Sequence, residues 1–142
     1  MNPRIVIDTN VLVGALLSAA AENREVLRRC LVHKAQPLIG AALFHEYEDL
    51  FNRPEPLNAS PLSREERYQL FEAFLSVCDW VRIYFLWRPN LSDEADNHLI
   101  ELAMAGGADV IVTNNIRDLT GGELSFSEIQ ILTPAEFLKS YF

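Results

Sequence analysis

Cysteine, lysine and long apolar runs are all scarce in this sequence, and each scarcity excludes something. The two cysteines, Cys30 and Cys78, stand far apart and form no C-x-x-C pair. A disulfide framework and a cysteine zinc site are therefore not expected, and reduced core thiols are. Lysine occurs only as Lys34 and Lys139, and 20 acidic residues face 12 lysines and arginines, for a net charge of −8. That balance argues against broad, sequence-independent binding to nucleic acid, which needs a basic surface. It leaves room for a nucleic-acid enzyme whose acids hold cations. No apolar run reaches the roughly 18 residues of a membrane helix. No basic segment followed by an apolar one and a small-residue cleavage site opens the chain, so a cytoplasmic protein is expected. The phosphate-loop and dinucleotide glycine patterns and the G-x-S-x-G elbow are missing as well. His33, His45 and His98 show no metal-ligand spacing.

What is present fits one globular domain over residues 1–142, with 49% apolar and 23% charged residues. Residues 4–7 read as a short β-branched strand, and Leu12 to Val32 as helix with a break near Ala20 to Asn23. A second strand follows at Gln36 to Gly40, and a helix at Ala41 to Asn52 with apolar residues at helical spacing. The stretch RPEPLNASP (53–61) reads as loop. Ser63 with Glu66 forms a capping-box pattern ahead of an amphipathic helix. Trp80 to Phe85 is a candidate strand. Ser92 or Asp93 can cap a helix that ends at Gly106-Gly107. Strands follow at 109–113 and 129–132. Thr133, Pro134 and Glu136 then start a last helix that runs to about Tyr141. Uniformly apolar strands alternating with helices predict an α/β fold. It is a three-layer α/β/α arrangement around a parallel sheet of four to five strands.

In such sheets ligands bind beyond the carboxyl ends of the strands. Asp8 ends the first strand. Asn114, Asn115 and Asp118 follow the strand at 110–112. Asp93, Glu94 and Asp96 lie where the helix leading into that strand begins. Glu46 sits in the first two turns of the helix after the second strand, while Glu48 and Asp49 point elsewhere around it. Carboxylates that converge repel unless cations hold them, and oxygen ligands suit Mg²⁺ or Mn²⁺. Each acid also has a plainer reading. Asp8 and Asp93 can be helix caps, Asp118 can close a turn, and Glu46 can be a solvated helix residue. Tyr47, Leu50, Phe51, Leu57, Phe71 and Phe74 could form a contact surface or simply the core.

Four stretches taken in order resemble the PIN-domain family, in particular the toxin nucleases of toxin–antitoxin pairs. They are RIVIDTNVLVGALLS, IGAALFHEYEDLFNRP, LSDEADNHLIELAMAGGADVIVTNNIRDL and IQILTPAEFL. The resemblance covers nearly the whole chain. It implies a PIN-like fold and a Mg²⁺- or Mn²⁺-dependent endoribonuclease, held inactive by a cognate antitoxin and forming a homodimer or larger assembly. Position by position it makes Asp8, Glu46, Asp96 and Asp118 catalytic acids, with Asp8, Asp96 and Asp118 as metal ligands. Thr9, Asn10, Thr113 and Asn115 become groups that orient the carboxylates. Arg53 and Arg117 are candidates for an RNA-contacting rim, and Arg24, Arg28 and Arg29 are further basic residues. One departure stands out: Asn115 replaces the first aspartate of the family's T-x-D-x-x-D turn, which weakens the expectation of two metals.

Rival classes fare less well. A phosphotransfer receiver domain needs a lysine after a late strand, and neither lysine is so placed. An aspartyl-nucleophile phosphatase needs D-x-D after the first strand, where Asn10 holds the second position. A catalytically weak PIN-like module that binds protein remains the alternative, kept open by Asn115.

Overall fold

The computed structural model describes residues 2–17, 21–83, 97–116 and 129–142. Among these, β1 (Arg4–Ile7) leads into α1 (Thr9–Leu17) and α2 (Ala21–Leu31), and β2 (Gln36–Ile39) into α3 (Ala41–Asn52). A 3₁₀ turn (Leu57–Ala59) and α4 (Arg64–Val77) precede β3 (Asp79–Trp80). Then come α5 (Asn97–Gly106), β4 (Val110–Val112), β5 (Gln130–Leu132) and α6 (Pro134–Tyr141).

The five strands make one parallel sheet in the order β3-β2-β1-β4-β5. The expected α/β fold with a parallel sheet of four to five strands is present. Ile5, Val6, Ile7, Val110, Ile111 and Val112 are buried without alternation, as strands covered on both faces must be. From β1 the chain moves outward through β2 to β3, then crosses back to β4 on the other side of β1. With right-handed crossovers this reversal puts α5 on the face opposite α1 to α4. Accordingly α5 packs across β1, β2 and β4, whereas α2 packs with α1, α4 and α6. The reversal opens a crevice between the carboxyl ends of β1 and β4, where α/β sheets bind ligands.

Local signals explain the boundaries. Both capping boxes form: Ser63 with Glu66 at α4, and Thr133 with Glu136 at α6, where Pro134 occupies the first turn. The helical stretch expected over Leu12 to Val32, with a break near Ala20 to Asn23, is the pair α1 and α2. The first ends at Leu17 and the second begins at Ala21, and α1 starts at Thr9, ahead of the expected Leu12. Of the strand expected over Trp80 to Phe85, the structure assigns Asp79–Trp80, and Val81 still donates its N–H to the Ile39 carbonyl of β2 before the chain leaves the sheet at 82–83. Residues 84–85 lie outside the described residues. The loop at 53–61 hides a 3₁₀ turn that seats Leu57 in the core at 1% exposure. Tyr47, Leu50, Phe51, Phe71 and Phe74 are buried with it, so the core reading of that set is the one the structure supports. Cys30 and Cys78 are free thiols, and burial pushes the Cys78 thiol up to about 12 and the Cys30 thiol higher still. Neither is poised as a nucleophile.

At the amino end of the sheet, Arg4 ties several elements together. Its guanidinium donates to the Gly106 carbonyl and to Asp79, and its backbone N–H donates to the Asp109 carboxylate.

Candidate functional site

Asp8 follows β1 directly, and its own N–H donates to the Val112 carbonyl of β4. The carboxylate therefore stands at the mouth of the crevice between the two strands. It is 8% exposed. Thr113, the residue after β4, donates its hydroxyl to Asp8 Oδ2 at 2.7 Å. Asn10 donates its side-chain amide to the same oxygen at 3.3 Å. Asp8 has no lysine or arginine partner among the described residues. A buried carboxylate with neutral donors alone is costly to ionise. Burial raises its pKa above the ordinary range, against the lowering effect of the Thr113 hydrogen bond, and the nearby charge of Glu46 raises it further.

Glu46 reaches the site from α3. That helix is capped at Gly40, straight after β2, and the residue that follows Glu46 fixes its position. Tyr47 is fully buried and donates its hydroxyl to the Ile7 carbonyl at the end of β1. Glu46 is thereby held one residue away from an anchor on the strand that delivers Asp8. Its Oε1 accepts from the Thr9 hydroxyl, and its Oε2 lies 2.8 Å from His98 Nε2 on α5. The His98 hydrogen bond, with help from Thr9, holds the Glu46 carboxyl below the usual range despite partial burial. The two carboxylates are thus pushed in opposite directions by their surroundings, a pattern that separates chemical roles. Glu48 and Asp49 face solvent, as their helix positions predict.

The turn after β4 is bound in from three sides. The Asn115 N–H donates to the Thr113 hydroxyl oxygen at 3.0 Å, and the Asn114 N–H donates to Asn10 Oδ1 at 3.1 Å. The Asn114 side chain donates to Asn23 Oδ1 on α2 at 3.2 Å, and Asn23 is itself buried. Asp8, Asn10, Asn114 and Asn23 therefore form a continuous polar path from the crevice to α2.

Of the residues singled out in the sequence, the structure brings together Asp8, Thr9, Asn10, Glu46, Thr113 and the backbone of Asn115. Asp93, Glu94, Asp96, Arg117 and Asp118 lie outside the described residues. Arg53 is exposed, pairs with Asp49 at 3.4 Å and lends positive potential to Glu46. Arg28 and Arg29 pair with Glu25, and Arg24 donates to the Ala15 carbonyl. Two residues were not foreseen. His98 was set aside because the three histidines lack a common spacing, yet it touches Glu46 across 52 positions of sequence. Asn23 gave only the signal of a polar residue near a helix break.

Asp8 and Glu46 supply hard oxygen donors and the charge deficit that a divalent cation would relieve. A buried carboxylate raised by burial and by a second carboxylate fits such an ion. Among the described residues no three acids, histidines or cysteines are close enough to hold one by themselves, so Asp8 and Glu46 would be part of a larger set.

A family profile described as PIN domain matches residues 4–117. A solved structure, the crystal structure of VapBC2 from Rickettsia felis bound to a DNA fragment from their promoter, contains a chain of similar fold. Its TM-score is 0.63 at 15% identity, over 91% of this chain and 98% of that one. No curated protein matches in sequence. With the profile spanning most of the sequence and the fold agreeing with it, the chain belongs to the PIN-domain family.

Proposed function

We propose that this protein is a metal-dependent endoribonuclease, the toxin of a toxin–antitoxin pair, acting in the cytoplasm as a homodimer or larger assembly. The observation that carries this reading is the buried Asp8 carboxylate at the strand crevice, without a lysine or arginine partner among the described residues and within electrostatic reach of Glu46. Asp8, Asp96 and Asp118 would hold Mg²⁺ or Mn²⁺, with Glu46 as a further ligand or an acceptor that orients water. Such a cation would offset negative charge on the phosphate oxygens and lower the pKa of a bound water. Thr113 and Asn10 fix the Asp8 oxygens, and Thr9 fixes Glu46, so the acids keep their geometry when RNA arrives. Glu46 stays ionised near neutral pH because its pKa is held low. No side chain is required as a nucleophile. Arg53 and Arg117 would meet RNA phosphates at the rim, offsetting an acidic chain.

The antitoxin partner rests on likeness to a chain of VapBC2, crystallised bound to a DNA fragment from their promoter. One specific residue favours a second reading. Asn115 offers a neutral amide where a carboxylate would draw in a cation, which suits a protein-binding module of weak metal affinity.

Cleavage of a mixed RNA pool by the partner-free protein, with Mg²⁺, Mn²⁺ or EDTA, tests the choice. Metal-dependent cleavage that disappears in Asp8→Asn is the expected result. No cleavage together with no calorimetric metal binding would transfer the assignment to the module.

A further inference from the structure

We infer that His98 is a positioning residue that, together with Thr9, locks the Glu46 carboxylate in one orientation. The inference rests on the nuclease reading for its consequence, but not for its geometry. Glu46 is a long side chain projecting from α3, and that side chain is 37% exposed. A free glutamate there would sample several rotamers, and ordering it carries an entropic cost. Two donors from two other helices remove that freedom. Thr9, in the first turn of α1, donates to Oε1, and His98, in the first turn of α5, meets Oε2 at 2.8 Å. The three helices follow or precede three different strands, so the carboxylate is fixed relative to the whole crevice.

The chemistry of the contact assigns the imidazole tautomer. An ionised carboxylate only accepts, so His98 Nε2 must carry the proton. Nδ1 is buried and has no hydrogen-bond partner among the described residues. A bare lone pair is tolerable there, whereas a second N–H would be stranded. His98 is therefore a directed donor with one productive setting. Each Glu46 oxygen already holds one hydrogen bond, which leaves one lone pair on each for water. That geometry suits an acceptor that orients a water more than a carboxylate that swings to chelate. Histidine does this better than a flexible donor because its ring has only two rotatable bonds.

The first arm of the test needs no activity. The ¹H–¹⁵N spectrum of the imidazoles in the wild-type protein should show His98 protonated at Nε2 and bare at Nδ1, with a slowly exchanging Nε2 proton. In Glu46→Ala that proton should exchange too fast to observe. Absence of the slow proton in wild type, or its survival in Glu46→Ala, overturns the proposal. The second arm compares His98→Gln, whose amide reaches the Nε2 position, with His98→Asn, which stops at the Nδ1 position. RNA turnover should fall at least tenfold in kcat for His98→Asn, with KM and the Mn²⁺ dissociation constant within threefold. His98→Gln should recover to within fivefold of wild type. Equal losses in both variants, no loss in either, or an Mn²⁺ affinity that falls in step with kcat would each overturn it. If the wild-type protein cleaves no RNA under any metal, the nuclease reading fails, and the spectroscopic arm alone decides the role of His98.

Discussion

Gly14 on α1 and Asn23 on α2 share a space that holds only one side chain. A Cβ built on Gly14 would stand 2.7 Å from Cγ of Asn23 and nearer still to its amide nitrogen. The glycine is thus what lets the two helices close over a buried amide. Asn23 in turn holds Asn114. Gly14→Ala should therefore act twice. Overpacking should lower stability by about 1–3 kcal/mol in urea unfolding. Displacing Asn23 should also speed amide exchange at Asn114 and Asn115, which a purely local clash would leave alone.

Asp8→Asn should stabilise the metal-free protein while abolishing cleavage. The folded-state pKa of Asp8 lies above its unfolded value of 3.8, so the fold binds this proton more tightly than the unfolded chain does. Stability contributed by Asp8 is therefore greatest in acid and lost as pH rises through the folded pKa. An amide at position 8 avoids that loss and still accepts from Thr113. At pH 7 we expect Tm to rise by about 2–4 °C. The gain should vanish below pH 3.8. A variant that melts lower at neutral pH would count against the burial argument.

Divalent cations should reverse that ranking. An ion that binds only the folded wild type stabilises it by about 1.4 kcal/mol at ten times its dissociation constant. Mn²⁺ should raise the wild-type Tm, EDTA should cancel the rise, and Asp8→Asn should respond to neither. Equal responses in both proteins would place the ion somewhere other than the crevice.

Glu46 should show the opposite pH signature. Its pKa is depressed below 4.5, first by the His98 hydrogen bond and then by Thr9. The stability it contributes is present above pH 4.5 and is lost as pH falls through the folded value. Wild type minus Glu46→Gln, measured in urea at a series of pH values, should be positive at pH 6 and shrink below 4.5. A flat difference would show that the two donors do not favour the charged form.

His33 closes α2 in the left-handed region, at φ 63°. The Lys34 N–H donates to the Arg29 carbonyl and the His33 N–H to the Cys30 carbonyl, a helix-ending pattern that glycine fits best. His33→Gly should stabilise the protein by about 0.5–1 kcal/mol, the strain removed exceeding the added unfolded-state freedom. Thermal melts at two scan rates would check it. RNA cleavage should not change, since His33 lies at the other end of the sheet.

The fold was legible in the sequence because its signals are local. Val and Ile runs mark strands that are buried on both faces, Ser63/Glu66 and Thr133/Glu136 mark helix starts, and Gly106-Gly107 marks a helix end. The position of Asp8 followed from strand polarity, and that of Glu46 from the turn count after β2. What stayed hidden was side-chain pairing between distant elements. Nothing about His98 in sequence points to position 46, because the contact depends on α3 and α5 meeting at the mouth of the sheet. Asn23 was illegible for the same reason, since its partner is a turn more than ninety positions away. The end of β3 was hard to read because an apolar run looks like strand throughout, whereas among the described residues after Trp80 only the Val81 N–H still reaches β2.

The Arg4 knot has a consequence for the far side of the molecule. β1 is four residues long, so about 13 Å of strand separates Arg4 from Asp8. One guanidinium and one amide at the base stitch together the segments that carry Asp79, Gly106 and Asp109. The mouth of the crevice above has ties of its own, the Asp8 N–H on the Val112 carbonyl and the Glu46–His98 contact between α3 and α5. The sheet is therefore clamped at both ends, by charge at the base and by hydrogen bonds at the mouth. Replacing Arg4 should then slacken the joints between β1, β3 and the end of α5 while the contacts of Asp8 and Glu46 at the opposite edge stay in place.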